Sequence, residues 1–246
     1  MEINKIYNNN CLEFLPTIED KSINSCITSP PYYKQKNYKS VNQLGQEKSV
    51  DEYLNNLLLT FTEISRILKD DGTCFINLGD VYINKCLQRL PFKLADLLCD
   101  NLGWTLRNII IWHKPRCIPN STKDSFTVDY EPVLFFSKYK NYYFEQQFDP
   151  HTNAYTIDCI KKAALLPPDH QSSYDIFNKE KRHENKSNNK LSRGDLGKRM
   201  NPLGRNKRSV WKINPADSSL KHIAMFPEEL IIPFVKGGCP PNWNNN

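Results

Sequence analysis

Between Ser22 and Trp112 short apolar runs alternate with stretches of helical periodicity, and this alternation restricts the possible folds more than any other feature. Ser22–Thr28 reads as a short buried strand that Ser29-Pro30-Pro31 must end, because proline cannot continue a hydrogen-bonded ladder. Over Asp51–Leu68 the residues Leu54, Leu57, Leu58, Phe61, Ile64 and Leu68 recur at helical spacing. Asp70-Asp71-Gly72 is expected to stop that helix, with Thr73–Leu78 as the next strand. Pro91 suits the first turn of a second helix with Phe92, Leu94, Leu97 and Leu98 on its apolar face. Gly103 should end that helix, and Trp104–Trp112 is a β-branched strand. The succession strand, helix, strand, helix, strand predicts an α/β fold, a parallel sheet with helices on its faces. Ligands of such sheets sit at the carboxyl ends of the strands, and Ser29–Tyr33 lies at one of those ends. Val133–Phe136 and Tyr142–Phe144, separated by a short polar turn, predict a β-hairpin.

The pattern then fades. From Glu145 to Lys207 the chain is polar and aperiodic, and order returns at Ser209–Ile213 and in a short helix over Pro227–Val235. We therefore expect a core of residues 1–144, an insertion over 145–208, and a return to the core over 209–246. Asn178–Arg208 holds eleven Lys or Arg against three Asp or Glu, a net +8 in a chain whose total is +6. A basic segment on a near-neutral body points to a polyanion as partner. The mean hydropathy of −0.61 reflects Asn and Lys in such excursions, not the lack of a core. No apolar run approaches the roughly 18 residues that span a bilayer. Met1–Lys5 does not open a secretory signal. The eight cysteines form no CxxC pair, so reduced thiols in a cytoplasmic protein, with no metal and no membrane, are the expectation.

Thr28-Ser29-Pro30-Pro31-Tyr32-Tyr33 carries the chemistry. Two prolines fix the backbone and remove two N–H donors, leaving carbonyls free to accept. A hydroxyl precedes them and an aromatic ring follows. This arrangement suits a planar group bearing an exocyclic NH2: the ring stacks on it while Ser29 Oγ and the Pro30 carbonyl accept its hydrogens. Drawing those hydrogens away makes the nitrogen more tetrahedral and nucleophilic, ready to attack a methyl group in line.

The chain resembles the permuted β-group of DNA amino-methyltransferases from restriction–modification systems. The resemblance rests on ITSPPYY, LGQEKSVDEYL, FINLGDVY, LRNIIIWHKP, DSFTVDYEPVLFFSK, RSVWKI and KHIAMFPEELI, in that order. It implies a Rossmann-like methyltransferase fold with an inserted target-recognition region, S-adenosylmethionine as cofactor and double-stranded DNA as partner. Ser29, Pro30, Pro31 and Tyr32 would be catalytic, with Tyr32 stacked on a flipped-out base. Thr28, His222, Phe226, Pro227 and Glu228 would line the cofactor site. Tyr33, His113, Lys114, Arg116, Arg193, Arg199, Arg205, Lys207 and Arg208 would contact DNA. SPPY in place of DPPY resembles the cytosine-N4 enzymes more than the adenine-N6 enzymes, which remain the alternative.

The sequence departs from this family at one place. After Lys236-Gly237-Gly238-Cys239-Pro240 the family continues with a strand and a DPFxGSG turn, but here Pro241-Asn242-Trp243 follows. This departure implies an incomplete cofactor half. The expectations are then a second polypeptide that supplies the rest, or a non-catalytic DNA-binding remnant, with activity of the chain alone in doubt.

Overall fold

The computed structural model describes all residues except 1, 3, 41–42, 118, 167–192, 217–224, 226 and 242–246. They fall into two compact units, residues 1–145 with 209–246, and residues 146–208.

The first unit is built on one five-stranded sheet. Its elements are β1 (Ile23–Thr28), α1 (Val50–Ile67), β2 (Leu68–Asn77), α2 (Leu90–Leu102), β3 (Thr105–His113), β4 (Tyr130–Ser137), β5 (Val210–Lys212) and α5 (Glu228–Gly238). The strand order is β1-β2-β4-β3-β5. β1 is parallel to β2 and β3 is parallel to β5, whereas β4 runs antiparallel between β2 and β3. Four strands therefore point one way, and their carboxyl ends gather with the start of β4 along one edge of the sheet.

Three expectations need correction. The sheet is mixed, because β4 enters it antiparallel with both neighbours. Tyr142–Phe144 is not a strand and forms no hairpin with β4; Tyr142 and Phe144 lay their rings against Phe135, at 6.0 and 5.4 Å between centroids. Asp70-Asp71-Gly72 does not separate helix from strand either. β2 begins at Leu68 and absorbs these residues as an irregularity, its register against β1 jumping from Ile23–Leu68 to Ser25–Thr73.

The sequence pattern explains the two-sided core. On β2, Cys74 and Ile76 join Leu134 and Phe136 of β4 beneath α1 and α2, where Tyr53, Leu57, Phe61, Leu94 and Leu98 are buried. Phe75 points to the other face, with Ile110, Trp112, Val133 and Phe135, beneath Leu230 and Phe234 of α5. Strands covered on both faces read as continuous apolar runs. Helix ends follow the expected chemistry: Ser49 Oγ accepts the Glu52 N–H (3.1 Å), while Glu52 Oε2 accepts the Lys48 N–H (2.9 Å). Gly103, at φ +66°, closes α2. Phe92 is the exception on α2: it is exposed, while Leu90, Pro91, Leu94, Ala95 and Leu98 form the buried face.

The second unit holds α3 (Ala154–Ala164), α4 (Arg193–Lys198) and a two-stranded pair, Phe148–Asp149 with Arg205–Asn206. α3 is capped by Asn153, whose side chain accepts from Tyr155 N (2.8 Å) and Thr156 N (3.3 Å). Gly197 of α4 lies on the Cys159 backbone of α3, where any Cβ would collide.

All eight cysteines are free thiols. Among the described residues no helix is long and apolar enough to cross a membrane, and no cluster of His, Cys, Asp and Glu is arranged to hold a metal.

Candidate active site

The Ser29–Tyr33 loop leaves β1 at the carboxyl edge of the sheet and is held by its surroundings. Tyr53 of α1 donates its hydroxyl to the Pro31 carbonyl (2.8 Å). Lys34 N–H donates to the Gly45 carbonyl (2.7 Å). Gly45 sits at φ +89°, where a Cβ would come within 2.8 Å of the Tyr32 carbonyl oxygen, so the close approach needs glycine. The Gly45 N–H donates to Glu47 Oε2 (2.8 Å), and buried Glu47 takes Asn56 Nδ2 on its other oxygen (3.2 Å). The Pro31 carbonyl is thus occupied, and Ser29 Oγ lies 3.4 Å from the Tyr32 hydroxyl.

Tyr32 is fixed by its ring and by its hydroxyl. The ring lies on Gly79, just beyond β2, where an added Cβ would sit 2.5 Å from Tyr32 Cε2. The hydroxyl donates to Glu131 Oε2 (2.8 Å) and accepts from Asn77 Nδ2 (2.7 Å), with Ser29 Oγ 3.4 Å away. Asn77 also donates to Glu131 Oε2 (2.8 Å). The opposite amide orientation would turn its carbonyl oxygen against the carboxylate, so the hydrogen bonds fix it. Lys114 Nζ pairs with Glu131 Oε1 and lies 4.3 Å from the Trp112 ring centroid. Burial, and then the Glu131 charge, push the Tyr32 phenol far above its ordinary pKa, so it stays protonated and donates. Burial, and then Glu47, do the same for Tyr53.

Of the other expected site residues among those described, Lys114 is brought to this cluster and the rest lie elsewhere. Lys114 belongs to it through Glu131, and Thr28 ends β1 opposite Ile76. Tyr33 is buried in the core at 4% exposure, its ring 5.4 Å from Tyr53, which overturns its expected contact with DNA. His113 Nε2 lies 3.3 Å from Asp129 at the end of β3, and Arg116 is exposed beyond it. Pro227 is buried before α5 and Glu228 is exposed in its first turn. His222, Phe226 and the Arg193 side chain lie outside the described residues. In the second unit Arg199, Arg205 and Arg208 are exposed, and Lys207 Nζ is 3.5 Å from Asp149.

Residue-by-residue reading passed over Asn77, Gly79 and Glu131, although FINLGDVY and DYEPV contain them. Their signal was a polar residue or a glycine at the end of an otherwise apolar strand that points toward the site. Gly79→Ala is expected to displace the Tyr32 ring, which packs against the core, and so to lower the melting temperature. A thermal melt checks this; an unchanged melting temperature would mean that the ring moves aside without cost.

A family profile described as DNA methylase, of the N6/N4 methyltransferases, matches residues 23–244. The chain belongs to this DNA methylase family. The type II methyltransferase M.SfiI of Streptomyces fimbriatus is 38% identical over 156 residues, which cover 56% of this chain and 37% of that protein. M.MwoI of Methanothermobacter wolfeii is 45% identical over 128 residues, or 50% of this chain and 19% of that protein. This methylase chain thus matches well under half the length of either. M.XycI of Xanthomonas campestris pv. cyanopsidis is 27% identical over 96% of this chain and 73% of its own. Among solved structures, PvuII DNA methyltransferase (cytosine-N4-specific) shares the fold with a TM-score of 0.60 at 18% identity, covering 96% of this chain and 70% of that one. The methylase chain accordingly has the Rossmann-like α/β methyltransferase fold, with the SPPYY loop at the carboxyl ends of its strands.

Proposed function

We propose that this chain forms the base-capturing site of a DNA methyltransferase acting on an exocyclic base amine, cytosine N4 ahead of adenine N6. The observation that carries the reading is an aromatic ring fixed on Gly79 with its hydroxyl 3.4 Å from Ser29 Oγ; on this reading Ser29 Oγ and the Pro30 carbonyl accept the amine hydrogens. A paired base hides its amine inside the duplex, so the base must be extruded to reach such a site. The choice of cytosine N4 is supported by SPPY and by the cytosine-N4-specific PvuII enzyme among the structures of like fold.

S-adenosylmethionine supplies an electrophilic methyl group on sulfur. Its methionine end carries an ammonium and a carboxylate. Exposed Glu228 suits the first, and the first turn of α5, which has no side-chain cap, suits the second. Thr28 and Pro227 would complete that wall. Among the described residues β1 is hydrogen-bonded on one side only, to β2. On our reading a further strand joins this free edge, from a second polypeptide or a longer form of the chain, and completes the cofactor site.

The test is transfer of labelled methyl from S-adenosylmethionine to unmethylated duplex DNA, followed by nucleoside analysis. N4-methylcytosine supports the full proposal, N6-methyladenine moves it to the other base, and DNA binding without transfer leaves a non-catalytic subunit.

Duplex DNA is the proposed polyanion for the basic segment. Changing both Arg199 and Arg205 to Ala is expected to weaken duplex binding and to reduce the log–log salt slope by about 0.9 for each phosphate that is no longer neutralised. Titrations at several salt concentrations check this, and an unchanged slope would make both residues solvated surface.

A further inference from the structure

The Ser29–Tyr32–Glu131 hydrogen bonds form a directed chain, and its direction has a chemical meaning. Ser29 Oγ faces the Tyr32 hydroxyl oxygen at 3.4 Å, and the Tyr32 hydroxyl donates onward to Glu131 Oε2 at 2.8 Å. Asn77 Nδ2 donates to the same phenol oxygen (2.7 Å) and to the same carboxylate oxygen (2.8 Å). Because Asn77 brings only hydrogens to the phenol oxygen, the phenol proton has to point at Glu131. The first link is long for a hydroxyl pair, which is common before a substrate closes such a site. Lys114 occupies Glu131 Oε1, leaving Oε2 to the phenol and the amide.

Resting on the amine-methylation reading above, we propose that Glu131 is the terminal proton acceptor of the reaction, reached from Ser29 through the Tyr32 hydroxyl. When the amine nitrogen forms its bond to the methyl carbon, the carbon–sulfur bond of the donor breaks and its electron pair stays on sulfur. The nitrogen then carries a positive charge and one proton too many. That proton passes to Ser29 Oγ, the Ser29 proton to Tyr32, and the Tyr32 proton to Glu131 Oε2. The carboxylate becomes a neutral acid, and both hydroxyls are restored. No redox partner is needed. The Glu131 side chain is 18% exposed, so the proton has a way out to water after each cycle. Lys114 and Asn77 are positioning residues in this scheme: they orient the carboxylate and the phenol and do not touch the substrate.

The test uses the chain with its cofactor site completed, in a longer form or joined by the second polypeptide, with unmethylated duplex DNA and S-adenosylmethionine in single turnovers. Glu131→Gln keeps the shape but takes up no proton, and is expected to lower the transfer rate roughly 100-fold, within the usual range for a general base. DNA affinity and the KM for the donor should stay within about twofold. Tyr32→Phe interrupts the chain without touching the carboxylate and should cost about as much. The double variant should be no slower than either single one, because both changes cut the same path. Added formate should restore part of the rate of Glu131→Ala, which a merely structural carboxylate would not permit. A wild-type rate in Tyr32→Phe, additive losses in the double variant, or a loss confined to KM would each overturn the proposal. If Glu131→Gln fails to fold, Tyr32→Phe decides alone. A wild-type protein with the completed cofactor site that still transfers no methyl would overturn the amine-methylation reading, and this proposal with it; wild-type transfer with indifferent variants overturns only the proton path.

Discussion

Phe75→Ala is expected to destabilise the sheet-bearing unit by about 3–5 kcal/mol, the usual cost of truncating a buried phenylalanine. Phe75 is 2% exposed and lies at the centre of a three-ring stack. Its ring is 4.6 Å from Phe135 at 10° and 4.6 Å from Phe234 at 21°. Phe135 belongs to β4 and Phe234 to α5, so one side chain joins the middle of the sheet to the helix that covers it. A Cβ on Gly238 would sit 2.9 Å from the same ring, which shows how little room the neighbours have for relaxation. Trp211 also stacks on Phe234, at 5.1 Å, so after the change α5 should loosen at its inner end rather than detach. A typical domain has about 5–15 kcal/mol of stability, and the loss is therefore a large share of it. Urea denaturation checks it, with Phe92→Ala as the control on an exposed aromatic that should change stability by no more than about 0.5 kcal/mol. A shift under about 1 kcal/mol for Phe75→Ala would mean that α5 does not depend on this stack.

Local periodicity was enough to find β1, α1, α2 and β3, because each of these elements writes its own spacing into consecutive residues. The partner of a strand is not written there. Val133–Phe136 has the same apolar character whether it ends a hairpin or enters a sheet between two strands. Its antiparallel place between β2 and β3 depends on pairings such as Ile76–Leu134 and Ile110–Val133. Asp70-Asp71-Gly72 carries strong turn chemistry, yet Asp70 is taken up by an ion pair with Lys21 (2.9 Å) while β2 continues through it. The aromatic residues Tyr142 and Phe144 have high strand propensity but serve as a lid on Phe135. Propensity reports what a residue tolerates, and tertiary packing decides.

The site divides in the same manner. Ser29–Tyr32 was legible because its chemistry is contiguous: hydroxyl, two prolines and ring in four residues. The partners that orient Tyr32 come from 45 and 99 residues away, and only the sheet order brings Asn77 and Glu131 to one phenol. Tyr33 misled for a related reason. The chain turns at Tyr33, so the Tyr32 hydroxyl reaches Glu131 while the Tyr33 ring is buried beside Tyr53.

Tyr32→Ala should give the largest functional loss of any single truncation at this site. Two separate contributions disappear with the side chain. The ring provides a stacking surface worth about 1–3 kcal/mol per base, or roughly one to two decades in holding an extruded base. The hydroxyl is the middle of the proton path from Ser29 to Glu131, and its loss adds roughly two decades in rate. Together they predict a fall in single-turnover methyl transfer of roughly three decades or more. The fold should survive, since Glu131 keeps both Lys114 and Asn77 and the ring is not part of the fully buried core. Ser29→Ala separates the two contributions: it removes the first proton carrier but leaves the ring, so turnover should fall roughly 100-fold with DNA affinity unchanged. Tyr32→Phe is the third point of the series, because it keeps the stack and loses only the hydroxyl. Methyl transfer and duplex binding measured side by side on the three variants give the comparison. Equal losses in Tyr32→Ala and Tyr32→Phe would show that the ring does not stack on the base, and would leave Tyr32 with a hydroxyl role alone.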